Sequence, residues 1–129
     1  DIGAWDTSGV TTMEEMFRSA SAFNQNISGW AVHDVTWMTS IFDQASSFNQ
    51  DIGAWNTSGV KNMVHMFKGA YSFNKDISAW DTSRARNMEG MFRGASAFDQ
   101  DIGGWAIQGV NNMDEMFRGA TSFDQDLGW

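Results

Sequence analysis

The chain has 129 residues and a mass of 14.4 kDa, with sixteen acidic against eight basic residues. Its net charge of −8 speaks against nucleic acid or an anionic membrane surface as the main partner. With no cysteine, two histidines and no apolar run of bilayer length, neither a zinc–thiolate centre, a cofactor nor membrane insertion is expected.

The first predicted element is a small-residue turn at Gly3-Ala4, after Asp1-Ile2 and before Trp5. TSGVT follows, short and β-prone, and predicts a brief strand around Val10. TMEEMFRSA then places Met13, Met16, Phe17 and Ala20 at i, i+3, i+4 and i+7, the stripe of an amphipathic helix. Thr12 stands at the cap, and Thr12 with Glu15 has the spacing of a capping box. Glu14 and Arg18 form an acid-first i,i+4 pair, repeated by Glu89–Arg93 and Asp114–Arg118. SAFNQ returns the chain to the next Asp/Asn-Ile.

The same order of elements recurs without a gap. The repeats are 1–25, 26–50, 51–75, 76–100 and 101–125, followed by a stub at 126–129. Trp5, Trp30, Trp55, Trp80 and Trp105 share one column. Phe17 and Phe23, with their counterparts at every twenty-fifth residue, fill two more columns. Met13 and Ala20 head two others, while the polar positions between vary freely. Fixed apolar and free polar columns are what stacked coils with one shared core require. The second repeat departs from the rest, with Trp37 at the cap and Asp43 where a base is usual, so its helix is expected to be the weakest. Taken together, the elements predict an α/β solenoid of five coils, each with a short strand, a helix and a return segment. The strands, at ~4.7–4.9 Å, stack closer than the helices, at ~8–10 Å. Such a stack curves, with the strands inside.

The pattern Phe48-Asn49-Gln50-Asp51-Ile52, Trp55, Ser58, Val60, Met63, Met66, Phe67, Ala70 and Phe73 resembles the repeat of bacterial BspA-like leucine-rich-repeat surface proteins, also known as the DUF285 or mycoplasma lipoprotein repeat. The resemblance spans the whole chain. It implies a leucine-rich-repeat-like stack outside the cell or on its surface, adhesion or partner binding in general terms, and no catalytic residues.

Four groups of residues bear on chemistry. The Trp column offers ring faces suited to sugars, but its phase with Ile and Phe favours a core role. Asp99-x-Asp101 and Asp124-x-Asp126 have the beginning of a calcium loop. The rest of that loop is missing and Asn24, Asn49 and Asn74 replace the first acid, which favours a ladder of side-chain to backbone bonds. Lys61, Arg84 and Arg86 flank the predicted strand of the third and fourth coils and offer an edge to an anionic ligand such as an acidic polysaccharide. Residues 51–100 carry five acids and six bases, against six and one in residues 1–50 and five and one in residues 101–129. The fourth group is at the two ends: Ile2 and Trp5 at one, Phe123, Leu127 and Trp129 at the other. These are expected to be apolar faces covered by more of the same chain or by another copy, head to tail.

No nucleophile–base pair, phosphate loop or metal set is visible, so no enzyme is expected. The expected function is a noncatalytic extracellular or cell-surface module that binds a protein or polysaccharide. The repeats would then be inner coils of a longer chain. The alternative is a filament or sheath subunit assembling end to end.

Overall fold

The computed structural model describes residues 1–129. The repeats do stack in register, coil upon coil, around one apolar core. Four parallel bridges run through a single column, Thr12 to Trp37 to Asn62 to Asn87 to Asn112. The core is a cluster of 30 buried residues. Phe42, Phe67 and Phe92 are fully buried, with ring centroids 5.6 and 5.5 Å apart along the column. The Trp column is core from Trp30 to Trp105, and each of those indoles donates its Nε1–H to the carbonyl of the Ile at the second position of the coil before.

The predicted α/β solenoid is not what carries this core. No segment forms a helix, and the strands reduce to the single bridged residue of each coil. The backbone of residues 13–20 shows why. In a helix, each N–H would bond four residues back. Here the N–H groups of Met13, Glu15, Phe17 and Ser19 leave the coil and reach the carbonyls of Trp37, Thr39, Ile41 and Asp43, at 3.0, 2.9, 2.9 and 2.7 Å. Those of Met16, Arg18 and Ala20 close four-residue turns on Met13, Glu15 and Phe17. The segment is thus a run of overlapping turns. Two residues in each run, at the fifteenth and nineteenth positions, take positive φ, as the third residue of a type II turn does: Glu15 at 57° and Ser19 at 61°, through Glu115 at 56° and Gly119 at 75°.

The counterparts of the stripe Met13, Met16, Phe17 and Ala20 still line the core in the inner coils, because turns of this kind return the side chain to one face as a helix would. In the first coil Met13 and Phe17 are buried, Ala20 is half-buried and Met16 is exposed. The predicted caps also cap, but they cap a turn. Asn62, Asn87 and Asn112 accept the N–H two residues on, at 3.0, 2.9 and 2.9 Å. Trp37 has no acceptor to offer Thr39, so the second coil lacks this bond; the helix expected to be the weakest there does not form, as none does in the other coils. The predicted i,i+4 ion pairs are replaced by i,i+3 pairs, Arg18–Glu15 and Arg118–Glu115, as turns bring those positions together.

Candidate functional site

The polar groups of the return segment serve the stack. The N–H of Asn49, Asn74, Asp99 and Asp124 each donates to the side-chain oxygen of the residue one coil earlier, at 2.9–3.0 Å. Gln50, Gln100 and Gln125 reinforce three of these steps through Nε2. Asp101 Oδ1 accepts the Gly103 N–H at 2.9 Å. The Asp99-x-Asp101 sequence therefore spends its carboxylates on turns and on the next coil, and Asn and Asp act alike in the column. The amide of Asp124 and the Gln125 side chain hold the Asp99 carboxyl below the ordinary carboxylate range.

Ion pairs gather on the run of turns and exposed, unpaired cations at one edge, while Lys68 and Lys75, also without a carboxylate within 4.0 Å, are half-buried. On the run of turns, Arg18 reaches Glu15 at 2.9 Å and Asp43 at 3.6 Å, while Arg93 and Arg118 both reach Glu115. Each of these cations has a carboxylate partner, Glu115 serving two of them. Asp43 is buried with its Oδ1 unpaired, at the position where the coils on either side carry Arg18 and Lys68. The second place is the edge formed by positions eight to twelve. The structure brings Lys61, Arg84 and Arg86 together here, on adjacent coils. The Lys61 N–H donates to the Thr36 carbonyl and the Arg86 N–H to the Lys61 carbonyl, both at 2.9 Å. The backbones of Lys61 and Arg86 are thus held one coil spacing apart, ~4.7–4.9 Å for pairs of this type.

All three are exposed, and none has a carboxylate within 4.0 Å. Arg84 follows the turn in which Asp81 accepts the Ser83 N–H at 2.9 Å. Hydrogen bonds from Ser83 hold the Asp81 carboxyl below its ordinary range, and the Arg84 charge adds to them. The Arg86 guanidinium lies over Gly109, where any Cβ would collide with it, and donates to the Ala85 carbonyl at 3.2 Å. Gly109 leaves this guanidinium room at the edge.

Trp37 joins this edge. It is bridged to Asn62, the neighbour of Lys61, and is 46% exposed, unlike the buried indoles of the Trp column. Sequence reasoning marked Trp37 only as a broken cap. Its departure from the column was visible, since Thr12, Asn62, Asn87 and Asn112 are polar there, but its exposure was not.

The five end residues form no common site. Ile2 is half-buried, and Trp5 is 55% exposed on one side while stacking on Trp30 at 6.3 Å on the other. At the opposite end Phe123 and Leu127 are half-buried, and Trp129 is 40% exposed with its Nε1–H on the Gly103 carbonyl. A recess of about 400 Å³ lies among Asp1, Gly3, Ala4, Asn26, Ser28 and Gly29, away from the basic edge.

Stacked coils with a periodic core define the class: a repeat protein of 25-residue units. The chain belongs to the family described as "Mycoplasma protein of unknown function, DUF285", whose pattern matches residues 1–85 and again residues 50–129. No curated protein and no solved structure matches it.

Proposed function

We propose that the chain is a noncatalytic binding module that works outside the cell or on its surface and takes an anionic partner along the edge of its third and fourth coils. One observation carries this reading: in a chain of net charge −8, Lys61, Arg84 and Arg86 stand together, exposed and without a carboxylate partner. Solvated cations in an acidic protein gain by pairing with carboxylates of the same chain, and Arg18, Arg93 and Arg118 do so. The backbone ladder that spaces Lys61 and Arg86 lowers the entropic cost of presenting them to a ligand. The extracellular setting rests on the likeness of the repeat to that of BspA-like surface proteins.

Retention on a sulfated dextran matrix at low salt tests the anionic partner. The native chain is expected to be retained and the Lys61→Gln, Arg84→Gln, Arg86→Gln triple variant to emerge unretained. Equal behaviour of the two sinks the reading. Protease treatment of intact producing cells tests the location, with loss of the chain expected.

A second reading is end-to-end assembly of copies. Trp5 and Trp129, exposed at opposite ends, favour it, since a copy docked there continues columns that each interior junction already contains. A molar mass rising with concentration in light scattering supports this reading. Trp129→Lys with Phe123→Lys is expected to abolish the rise, and association unchanged in that variant overturns it.

A further inference from the structure

We infer that Trp37, Lys61 and Arg86 form a binding track for a carboxylated, uronate-type polysaccharide, the indole taking a sugar-ring face and the two cations its carboxylates. The inference rests on the anion-binding reading above and narrows it to one ligand class.

Three observations select that class. The cations sit on successive coils along an edge and have no recess beside them. A site of that form suits a linear ligand with repeating charge better than a compact anion. An exposed indole stands one coil before Lys61 at the adjoining register position, Trp37 pairing with Asn62 where Thr36 pairs with Lys61. A Trp ring supplies an apolar, polarisable face with a polar edge, and it costs little side-chain entropy to immobilise. A sugar ring has an apolar face to match, which an acidic peptide backbone lacks. The third observation is the extent of the basic region. Residues 1–50 and 101–129 hold eleven acids and two bases, so the favourable field is confined to the middle coils. A nucleic acid, with its dense unbroken charge, would be carried onto the acidic flanks and repelled. A short stretch of uronate chain, with one carboxylate per sugar ring, fits within the window. Arg86 is suited to its part, because a guanidinium binds carboxylate through two parallel hydrogen bonds.

The test uses Trp37→Asn, a change the fold accommodates. Asn62, Asn87 and Asn112 already fill this register, and the new side chain would give Thr39 the turn bond that it lacks. Calorimetric titration of the full chain with oligouronate, a neutral glucan and poly-glutamate is the measurement. Oligouronate is expected to bind the native chain, the neutral glucan not to bind, and Trp37→Asn to weaken oligouronate about tenfold, the loss of roughly 1.4 kcal/mol of contact. Its poly-glutamate binding and melting temperature are expected to stay level or, for the latter, to rise. Lys61→Gln with Arg86→Gln is expected to weaken both acidic ligands. Unchanged oligouronate binding by Trp37→Asn overturns the inference, as does equally tight binding of the neutral glucan. Retention on sulfated dextran without any oligouronate binding overturns this inference and leaves the anion-binding reading standing. Loss of both removes the two together.

Discussion

The two sides of each coil are joined to their neighbours by different chemistry. Along positions eleven to nineteen the joints are backbone to backbone: Lys61 N–H to Thr36 O, Met63 N–H to Asn87 O, Phe67 N–H to Met91 O. From position twenty to position ten they are side chain to backbone, through the Asn24 column, the Trp indoles and the hydroxyls of Thr7, Thr57 and Thr82. A joint made by the backbone asks little of the side chains above it. That side varies accordingly, carrying Glu14, Thr39, Val64, Glu89 and Asp114 at one position. Where such a joint recurs in every coil it fixes the residue type, so Trp never varies and only Asn or Asp occupies the ladder, while Val32 and Ile107 interrupt the Thr column and forgo its hydroxyl bond. Freedom to vary exposed side chains therefore falls to the backbone-joined side, where Trp37, Lys61 and Arg86, the residues of the proposed edge, are found.

Both sides lean on the same core, so its removal is the largest way to break the comparison. Phe67 contacts Phe42, Phe73, Phe92 and Trp80 at centroid distances of 5.6, 4.2, 5.5 and 6.1 Å. Phe67→Ala is expected to cost about 3–5 kcal/mol in urea unfolding, with no difference between the two sides. A loss below about 1 kcal/mol would mean that the neighbours close the cavity.

The next test separates the sides. Asn74 Oδ1 accepts the Asp99 N–H at 2.9 Å and Gln100 Nε2 at 2.8 Å. Asn74→Ala, on the side-chain-joined side, is expected to cost about 1–2 kcal/mol, the net worth of one or two such bonds. Val64→Ala on the other side retains every backbone bond, and its half-buried side chain is expected to cost less than about 1 kcal/mol. Equal losses would erase the distinction.

The backbone-joined side has its own requirement, positive φ at two positions per coil. Gly94 has φ 70°, and a Cβ there would meet the nearest atom only at 3.8 Å. Gly94→Ala therefore reports conformation without a clash, and is expected to cost about 1 kcal/mol. A neutral or stabilising result would mean that the turn relaxes.

The same glycines explain how much of the fold was legible. Period, columns and core follow from the sequence because burial repeats whatever the local geometry. The choice of helix did not follow, since Met13, Met16, Phe17 and Ala20 satisfy a helical stripe and a run of turns equally. Gly69, Gly90, Gly94 and Gly119, inside the segments read as helices, were the discriminating residues. A helix interior disfavours each by about 1 kcal/mol relative to Ala, whereas positive φ suits them. Of the candidate site, the three cations were legible from alternation about Val60 and Ala85. Trp37 was not, because whether an off-column indole is buried depends on packing between coils.

The smallest effect concerns the one chemical difference within the side-chain ladder, Asp99 where the two coils before it have Asn49 and Asn74. Asp99 accepts the Asp124 N–H at 3.0 Å and Gln125 Nε2 at 2.9 Å, and those bonds favour the ionised carboxylate and lower its pKa. An unfolded Asp titrates near about 3.9. With the folded value depressed below that, this contribution to stability is present above the unfolded pKa and is lost as pH falls through the folded one. Asp99→Asn keeps an acceptor for both donors, as Asn74 does for Asp99 and Gln100, and has no proton to gain. The melting temperatures of the native chain and of Asp99→Asn are thus expected to run parallel from pH 7 down to about pH 5. Below about pH 4 the native chain is expected to fall faster, drawing level with the variant or passing beneath it. Because Asp99 faces solvent at the ladder, the separation is small and best read as the difference between two melting curves at each pH. Parallel curves down to pH 2 would mean that the protonated carboxyl serves Asp124 and Gln125 as well as the carboxylate does, leaving Asp and Asn interchangeable at this joint at every pH.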